Sequence, residues 1–207
     1  KKYMNKNLLL IFTRNPELGK VKTRLAKTVG NEPALEIYKY LLQKTRDISL
    51  QVSSDREVYY SVKIRSNDIW DSKNYQKNQQ VGEDLGIRMQ NAFKNGFDAG
   101  YKKVVIIGSD LYDLTSENIE KAFTELDNND VVLGPAEDGG YYLVGMSKMV
   151  ASIFTNKPWS QPNLLEVTLQ ELHNNNTTIS TLATLNDIDN YEDLIASDFY
   201  KSNLKLQ

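Results

Sequence analysis

The sequence predicts an α/β fold on a mostly parallel, mixed sheet, and three observations carry that prediction. Short continuous apolar runs at Leu8–Phe12, Val104–Ile107 and Val131–Leu133 read as strands buried on both faces. Segments of helical periodicity separate them, so strands and helices alternate. The length, 207 residues, suits one domain over 1–207 with a well-buried core.

Composition narrows the function classes. Lys plus Arg number 25 against 27 Asp plus Glu, a net charge of −2, which argues against a general nucleic-acid or membrane-surface binder. Any anion site must be local. There is no cysteine, which removes disulfides, thiolate zinc sites and cysteine nucleophiles. A single histidine, His173, removes multi-histidine metal sites, and its place before three asparagines reads as a helix end. No apolar run approaches the ~20 residues of a membrane span. Leu8–Phe12 is too short for a signal-peptide core. The chain begins at Lys1, so Met4 is a natural start or a leader has been trimmed, and without a signal the cytoplasm is the default compartment.

Taken in order, Asn7–Thr13 is the first buried strand. It runs into residues 14–25, where Pro16 and Gly19 make a loop rather than a helix. Arg14, Lys20, Lys22 and Arg24 lie within eleven residues at the carboxyl end of that strand. Backbone N–H groups around Gly19, with a helix starting near Thr23, suit a phosphate chain. The spacing is not a Walker A motif, since Val21 follows Lys20 and the upstream glycine is missing. A solvated basic loop is the alternative. Residues 31–49 form a helix with Asn31 as its cap and Pro33 in the first turn. A second strand covers 57–64, and the polar stretch 68–80 carries one short strand. The next helix opens around Asp84 and ends at Gly100, with Arg88 placed either to pair with Asp84 at i,i+4 or to face a ligand.

The central strand over Lys103–Ile107 delivers Gly108, Ser109 and Asp110 to its carboxyl end, where ligands of open α/β sheets sit. A carboxylate there can hold Mg²⁺ or Mn²⁺, or else cap the helix over 116–126. After the strand at 130–134, Asp138 precedes Gly139 and Gly140. That is a hairpin turn able to present a carboxylate, and it allows the strand over Tyr141–Val144 to run against its neighbours. Trp159 precedes a helix over 161–173 capped by Ser160, and reads either as a staple or as a stacking platform. An edge strand over 177–182 leads to Asp187 and Asp189, two carboxylates that can complete a metal site or cap the short helix over 191–196.

Four stretches, in this order, resemble one known family: PELGKVKTRL at 16–25, GEDLGIRM at 82–89, GSD at 108–110 and GPAEDGGYYL at 134–143. The match runs over roughly residues 7–195. It is to an uncharacterised bacterial family of GT-A-type, nucleotide-diphospho-sugar transferase-like proteins. The KTRL element at 22–25 is also similar to the nucleotide loop of 2-phospho-L-lactate guanylyltransferases. The resemblance implies a three-layer α/β/α Rossmann-like fold with a nucleotide above the first strand and Mg²⁺ or Mn²⁺ on Asp110. It carries Arg14, Lys20, Lys22 and Arg24 over as phosphate-loop residues and Asp138 as a carboxylate near the acceptor. Gly19, Thr23, Asp84, Arg88 and Ser109 are added as nucleotide-site candidates and Asp189 as a second metal ligand, and Asp110, Asp138 and Lys22 are the catalytic candidates. Tyr112 stands where the family usually has proline.

Two chemistries follow for a transferase acting on a nucleotide and a small-molecule acceptor. In nucleotidyl transfer from an NTP, the basic loop would hold the leaving pyrophosphate. In glycosyl transfer from a nucleotide sugar, Asp138 would orient the acceptor. The charge of the loop favours the first and the family's usual label the second. A module that binds nucleotide without turnover is the expectation from another class. Strands such as Val58–Val62 read equally as inner strands or as pairing across a homodimer.

Overall fold

A computed structural model of the chain describes residues 6–203, and Met4 lies outside them. The elements are β1 (Asn7–Thr13), α1 (Thr23–Val29), α2 (Asn31–Leu50), β2 (Asp55–Tyr60), β3 (Gln76–Gln79), α3 (Leu85–Asp98) and β4 (Lys103–Ile107). There follow α4 (Ser116–Glu125), β5 (Val131–Pro135), β6 (Tyr141–Met146), α5 (Leu164–Asn174), β7 (Ile179–Thr181), α6 (Tyr191–Ala196) and α7 (Asp198–Asn203).

Seven strands form one sheet in the order β3-β2-β1-β4-β6-β5-β7. Neighbours run parallel except at β6, which is antiparallel to both β4 and β5. Side chains alternate across a strand, so a strand covered on both faces must be apolar at every position. Leu9, Ile11, Val105 and Ile107 pack on one face against Tyr38 and Leu42 of α2 and Ile119 and Phe123 of α4. Leu8, Leu10, Val104 and Ile106 pack on the other against Met89 and Phe93 of α3 and Leu172 of α5. This is the three-layer α/β/α arrangement. Ile107 is fully buried, and truncating such a side chain to alanine costs about 2–5 kcal/mol. A third cluster joins Leu25, Ile37 and Leu41 to Ile188, Leu194 and Phe199, and so ties the last helices to the first.

From β1 the chain moves one way to β2 and β3, while β4 pairs on the other side of β1. The strand order reverses between β1 and β4, which opens a crevice at their carboxyl ends.

Several boundaries differ from expectation, each for a local reason. β2 ends at Tyr60 and not at residue 64, because Asn15 accepts hydrogen bonds from the N–H groups of Val62 and Lys63 and draws them off the sheet. Lying between β1 and β3, with Val58, Tyr59 and Tyr60 buried, β2 is an inner strand and does not pair across a dimer. Gly30, at φ 91°, caps α2 in place of Asn31, because α2 follows α1 with no intervening loop. Thr115 and Asn118 form the capping box of α4, which frees Asp110 from that role. Asn163 precedes α5, not Ser160, since Pro162 is docked on the β5–β6 turn. Trp159 packs into the second cluster over Gly86, whose missing Cβ leaves room for the ring. His173 is exposed in the last turn of α5 as expected, and α7 is additional.

Candidate functional site

The β2 side of the crevice is fixed by neutral hydrogen bonds. Asn15, 1% exposed, donates from Nδ2 to the Lys63 carbonyl at 2.9 Å, which together with its two accepted bonds anchors the loop leaving β1. Tyr38 of α2 donates from Oη to the Arg14 carbonyl at 2.9 Å and accepts from the Arg14 N–H at 3.1 Å. Burial pushes the Tyr38 phenol above its usual range, so it stays neutral. Ser109 Oγ lies 3.4 Å from Tyr38 Oη and donates to Thr13 Oγ1 at 3.1 Å. Gln80 donates to the Tyr59 carbonyl at 3.0 Å. Thr13, Tyr38, Gln80 and Ser109 wall a compartment of about 260 Å³, in which Arg14 is exposed. Ser61 belongs to the same wall, and its sealed hydroxyl has no hydrogen-bond partner.

The β6 side is charged. A second compartment of about 540 Å³ is lined by Asp110, Asp138, Asp187, Tyr141, Tyr142 and Arg24, among others. Asp110 lines both compartments and stands at their junction. Asp138 accepts from the Gly140 N–H at 2.9 Å within the β5–β6 turn. Gly139 sits at φ 90°, and a Cβ there would collide with the Pro162 carbonyl, so the turn is seated directly on the segment entering α5.

Asp187 arrives from the far end of the sequence. Its neighbour Ile188 is fully buried in the third core cluster and donates from N–H to Asn186 Oδ1 at 3.0 Å. Asp193, in the capping box that starts α6, accepts from the N–H groups of Asp189 and Asn190. The loop is therefore fixed by the helix that follows it. Burial, then the charges of Asp138 and Asp110, push the Asp187 carboxyl up to about 7, and Lys22 only partly offsets them.

Lys22 is the cation among these acids. Its Nζ donates to Asp110 Oδ2 at 2.8 Å and to the Asp187 carbonyl at 3.2 Å, with 4% of the side chain exposed. Burial alone would lower its pKa, but Asp110, then Asp189 and Asp187, raise it above the usual value. Lys22 stays charged.

Hard oxygen donors on three sides of one compartment fit Mg²⁺ or Mn²⁺ in kind. Among the described residues no three carboxylates close to ligand distance, and the Lys22 ammonium lies against Asp110.

The structure brings Arg14, Arg24, Ser109, Asp110 and Asp138 to the crevice walls. Gly19 and Lys20 are exposed on the adjoining loop, and Thr23 is exposed at the start of α1. Others take different places. Asp84 caps α3 by accepting from the Ile87 N–H at 2.8 Å, and Arg88 donates from Nε to the Gly82 carbonyl at 2.9 Å. Their side chains do not pair with each other, and neither residue lines the two compartments. Asp189 is ion-paired to Arg24 at 2.9 Å and does not line the carboxylate compartment, where Asp187 stands instead. Lys22 is held by Asp110 and so is not a free phosphate ligand here. Ser109 is buried, and its hydroxyl bonds to Thr13. Sequence reasoning missed Asn15, Tyr38, Ser61 and Gln80. Asn15, Ser61 and Gln80 are polar residues just past strand ends, whereas Tyr38, inside α2, carried no such signal. A larger, open groove of about 860 Å³, lined by Asp55, Glu57, Tyr75 and Tyr101, lies at the opposite, amino ends of the strands.

Comparison with known proteins bears on what the site is for. A family described as an uncharacterized protein conserved in bacteria (DUF2064) matches residues 42–161. Comparison with curated proteins gives no match. A crystal structure from Desulfovibrio desulfuricans G20, provisionally named a nucleotide-diphospho-sugar transferase, is 30% identical. It covers 97% of this chain and 92% of its own, with a TM-score of 0.83. CMP:2-keto-3-deoxy-manno-octonic acid synthetase, complexed with CTP, shares the fold at 13% identity and a TM-score of 0.57, over 92% of this chain and 95% of its own. Rv0371c of Mycobacterium tuberculosis H37Rv, as a manganese complex, does so at 11% identity and a TM-score of 0.56, over 92% and 96%. No helix among the described residues is long and apolar enough to cross a membrane.

Proposed function

The chain belongs to the DUF2064 family, and on that premise we propose that it is a metal-dependent transferase that moves a nucleotidyl group from an NTP to a small acceptor. One observation carries the reading: Asp110 is shared by a neutral, hydrogen-bonded compartment and a carboxylate-lined one. The first suits a nucleoside, with Arg14 in its wall and Lys20 exposed on the loop after β1 for the phosphates. The second suits the acceptor. Acceptor oxygen attacks the α-phosphorus, the bond to the β-phosphate oxygen breaks, and pyrophosphate leaves.

Asp110 and Asp187 would hold the divalent cation, which when bound neutralises charge on the triphosphate. Asp138 would orient an acceptor hydroxyl and take its proton. Arg14, Lys20 and Arg24 would balance the charge that builds on the leaving group. The bound CTP and the manganese recorded for two proteins of the same fold support this assignment.

Glycosyl transfer is the second reading, favoured by the name of the 30%-identical relative and by the room of the larger compartment. A thermal-shift panel of NTPs, nucleoside diphosphates and UDP- and GDP-sugars, with and without Mg²⁺ or Mn²⁺, separates the two. A ligand well above its Kd stabilises by about 2–4 kcal/mol. The proposal expects a metal-dependent shift largest for one NTP. A nucleotide sugar giving the largest shift would move the assignment to glycosyl transfer, and shifts indifferent to metal would reject the metal site.

A further inference from the structure

We infer that Lys22 is a resident cation: its ammonium holds the divalent-cation position at Asp110 in the free protein and leaves when metal and nucleotide bind together. The inference rests on the proposed metal site. Lys22 Nζ bonds to Asp110 Oδ2 and the Asp187 carbonyl, two oxygens from loops that the fold brings together from far apart in the sequence. The lysine side chain is 4% exposed, whereas that of Asp110 is 38% exposed. The carboxylate can therefore be reached from the crevice while the ammonium is sealed beneath the loop. A divalent ion on Asp110 and an ammonium against the same carboxylate repel each other, so the two compete.

The backbone shows how Lys22 is released. Lys22 lies at φ 48°, ψ 43°, a left-handed conformation rare for a residue with a Cβ. No side chain caps α1 there, and the Lys22 carbonyl accepts from the Ala26 N–H at 2.8 Å, so the main chain stays anchored and only the side chain has to leave Asp110. The neighbouring pair, Arg24 of α1 to Asp189, is exposed and weak. Metal alone must displace Lys22 with no new partner for it. Metal with a triphosphate supplies that partner, because the displaced ammonium can pair with phosphate oxygens. Metal and nucleotide each raise the affinity for the other.

Mn²⁺ titration followed by electron paramagnetic resonance tests this on the full chain. The proteins are wild type, Lys22→Met, Lys22→Gly and Lys22→Arg, with and without a non-hydrolysable NTP, each checked for folding by its melting curve. Without nucleotide, Lys22→Met should bind Mn²⁺ roughly tenfold or more tightly than wild type, while Lys22→Arg should not. Lys22→Gly, which relieves the left-handed backbone, should behave as Lys22→Met and serves if that variant unfolds. Nucleotide should tighten Mn²⁺ binding to wild type by a similar factor and to the charge-free variants much less. Equal Mn²⁺ affinity in wild type and the charge-free variants would overturn the resident-cation role and leave the transferase reading standing. No Mn²⁺ binding by any protein, with or without nucleotide, would remove the metal site and this inference together.

Discussion

On the β2 side of the crevice, Thr13, Asn15, Tyr38, Gln80 and Ser109 satisfy one another and the main chain with uncharged hydrogen bonds. On the β6 side, Asp110, Asp138 and Asp187 face one compartment with a single buried ammonium among them. Apart from the Ser61 hydroxyl, the first arrangement is paired without a ligand. The second carries a surplus of negative charge, registered as the upward push on Asp187. A buried polar network fully paired specifies a shape, whereas one short of counter-charge invites a cation. The two compartments thereby differ in charge along the sheet, and Asp110 stands at their boundary.

The comparison breaks most severely at Asp110. Asp110→Asn is expected to lower turnover roughly 10²–10³-fold while leaving metal-free nucleotide binding close to wild type, as steady-state kinetics and calorimetry would show. Next in size, Gly139→Val should destabilise by about 3 kcal/mol through left-handed strain and collision with Pro162, read by urea unfolding. Asn15→Ala, on the neutral side, leaves main-chain groups of Val62 and Lys63 unpaired. Its expected cost is about 1–3 kcal/mol, with a rise in KM for the nucleotide larger than the change in kcat.

A pH series sharpens the charge difference. Asp187 is pushed up to about 7 from an ordinary 3.8, so the folded state holds this proton more tightly than the unfolded chain. Stability contributed by this group is present below pH ~4 and is lost as pH rises to about 7. In chelator, Asp187→Asn should melt progressively higher than wild type across that window, with no further gain above it. Parallel melting curves would contradict the assignment. The smallest effect is expected at Arg24→Ala. Its exposed pair with Asp189 is worth under about 1 kcal/mol, so melting should barely move while NTP affinity falls.

Much of this was legible from sequence, and the reasons are particular. Leu8–Ile11 and Val104–Ile107 are apolar at every position because both faces of their strands are covered, and the residues that follow them arrive at the crevice as expected. The short polar signals misled where local chemistry had two outlets. Asp84 could cap a helix or pair with Arg88, and the unsatisfied N–H groups of α3 took it. Between Asp187 and Asp189 the sequence offers no choice, because it is the burial of Ile188 that sends its two neighbours to different partners. The Lys22–Asp110 pair spans 88 positions, and no local pattern encodes it. Asn15 and Tyr38 were likewise hidden, since their partners lie on other elements.

The most direct measurement is a crystal structure of the protein with Mn²⁺ and a non-hydrolysable NTP, with anomalous scattering used to place the metal. The account predicts Mn²⁺ roughly 2.1 Å from an Asp110 carboxylate oxygen, the nucleoside in the compartment between Arg14 and Gln80, and Lys22 moved from Asp110 to a phosphate. A nucleotide bound elsewhere, or one seated in the crevice with Lys22 still on Asp110 and no metal there, would contradict it.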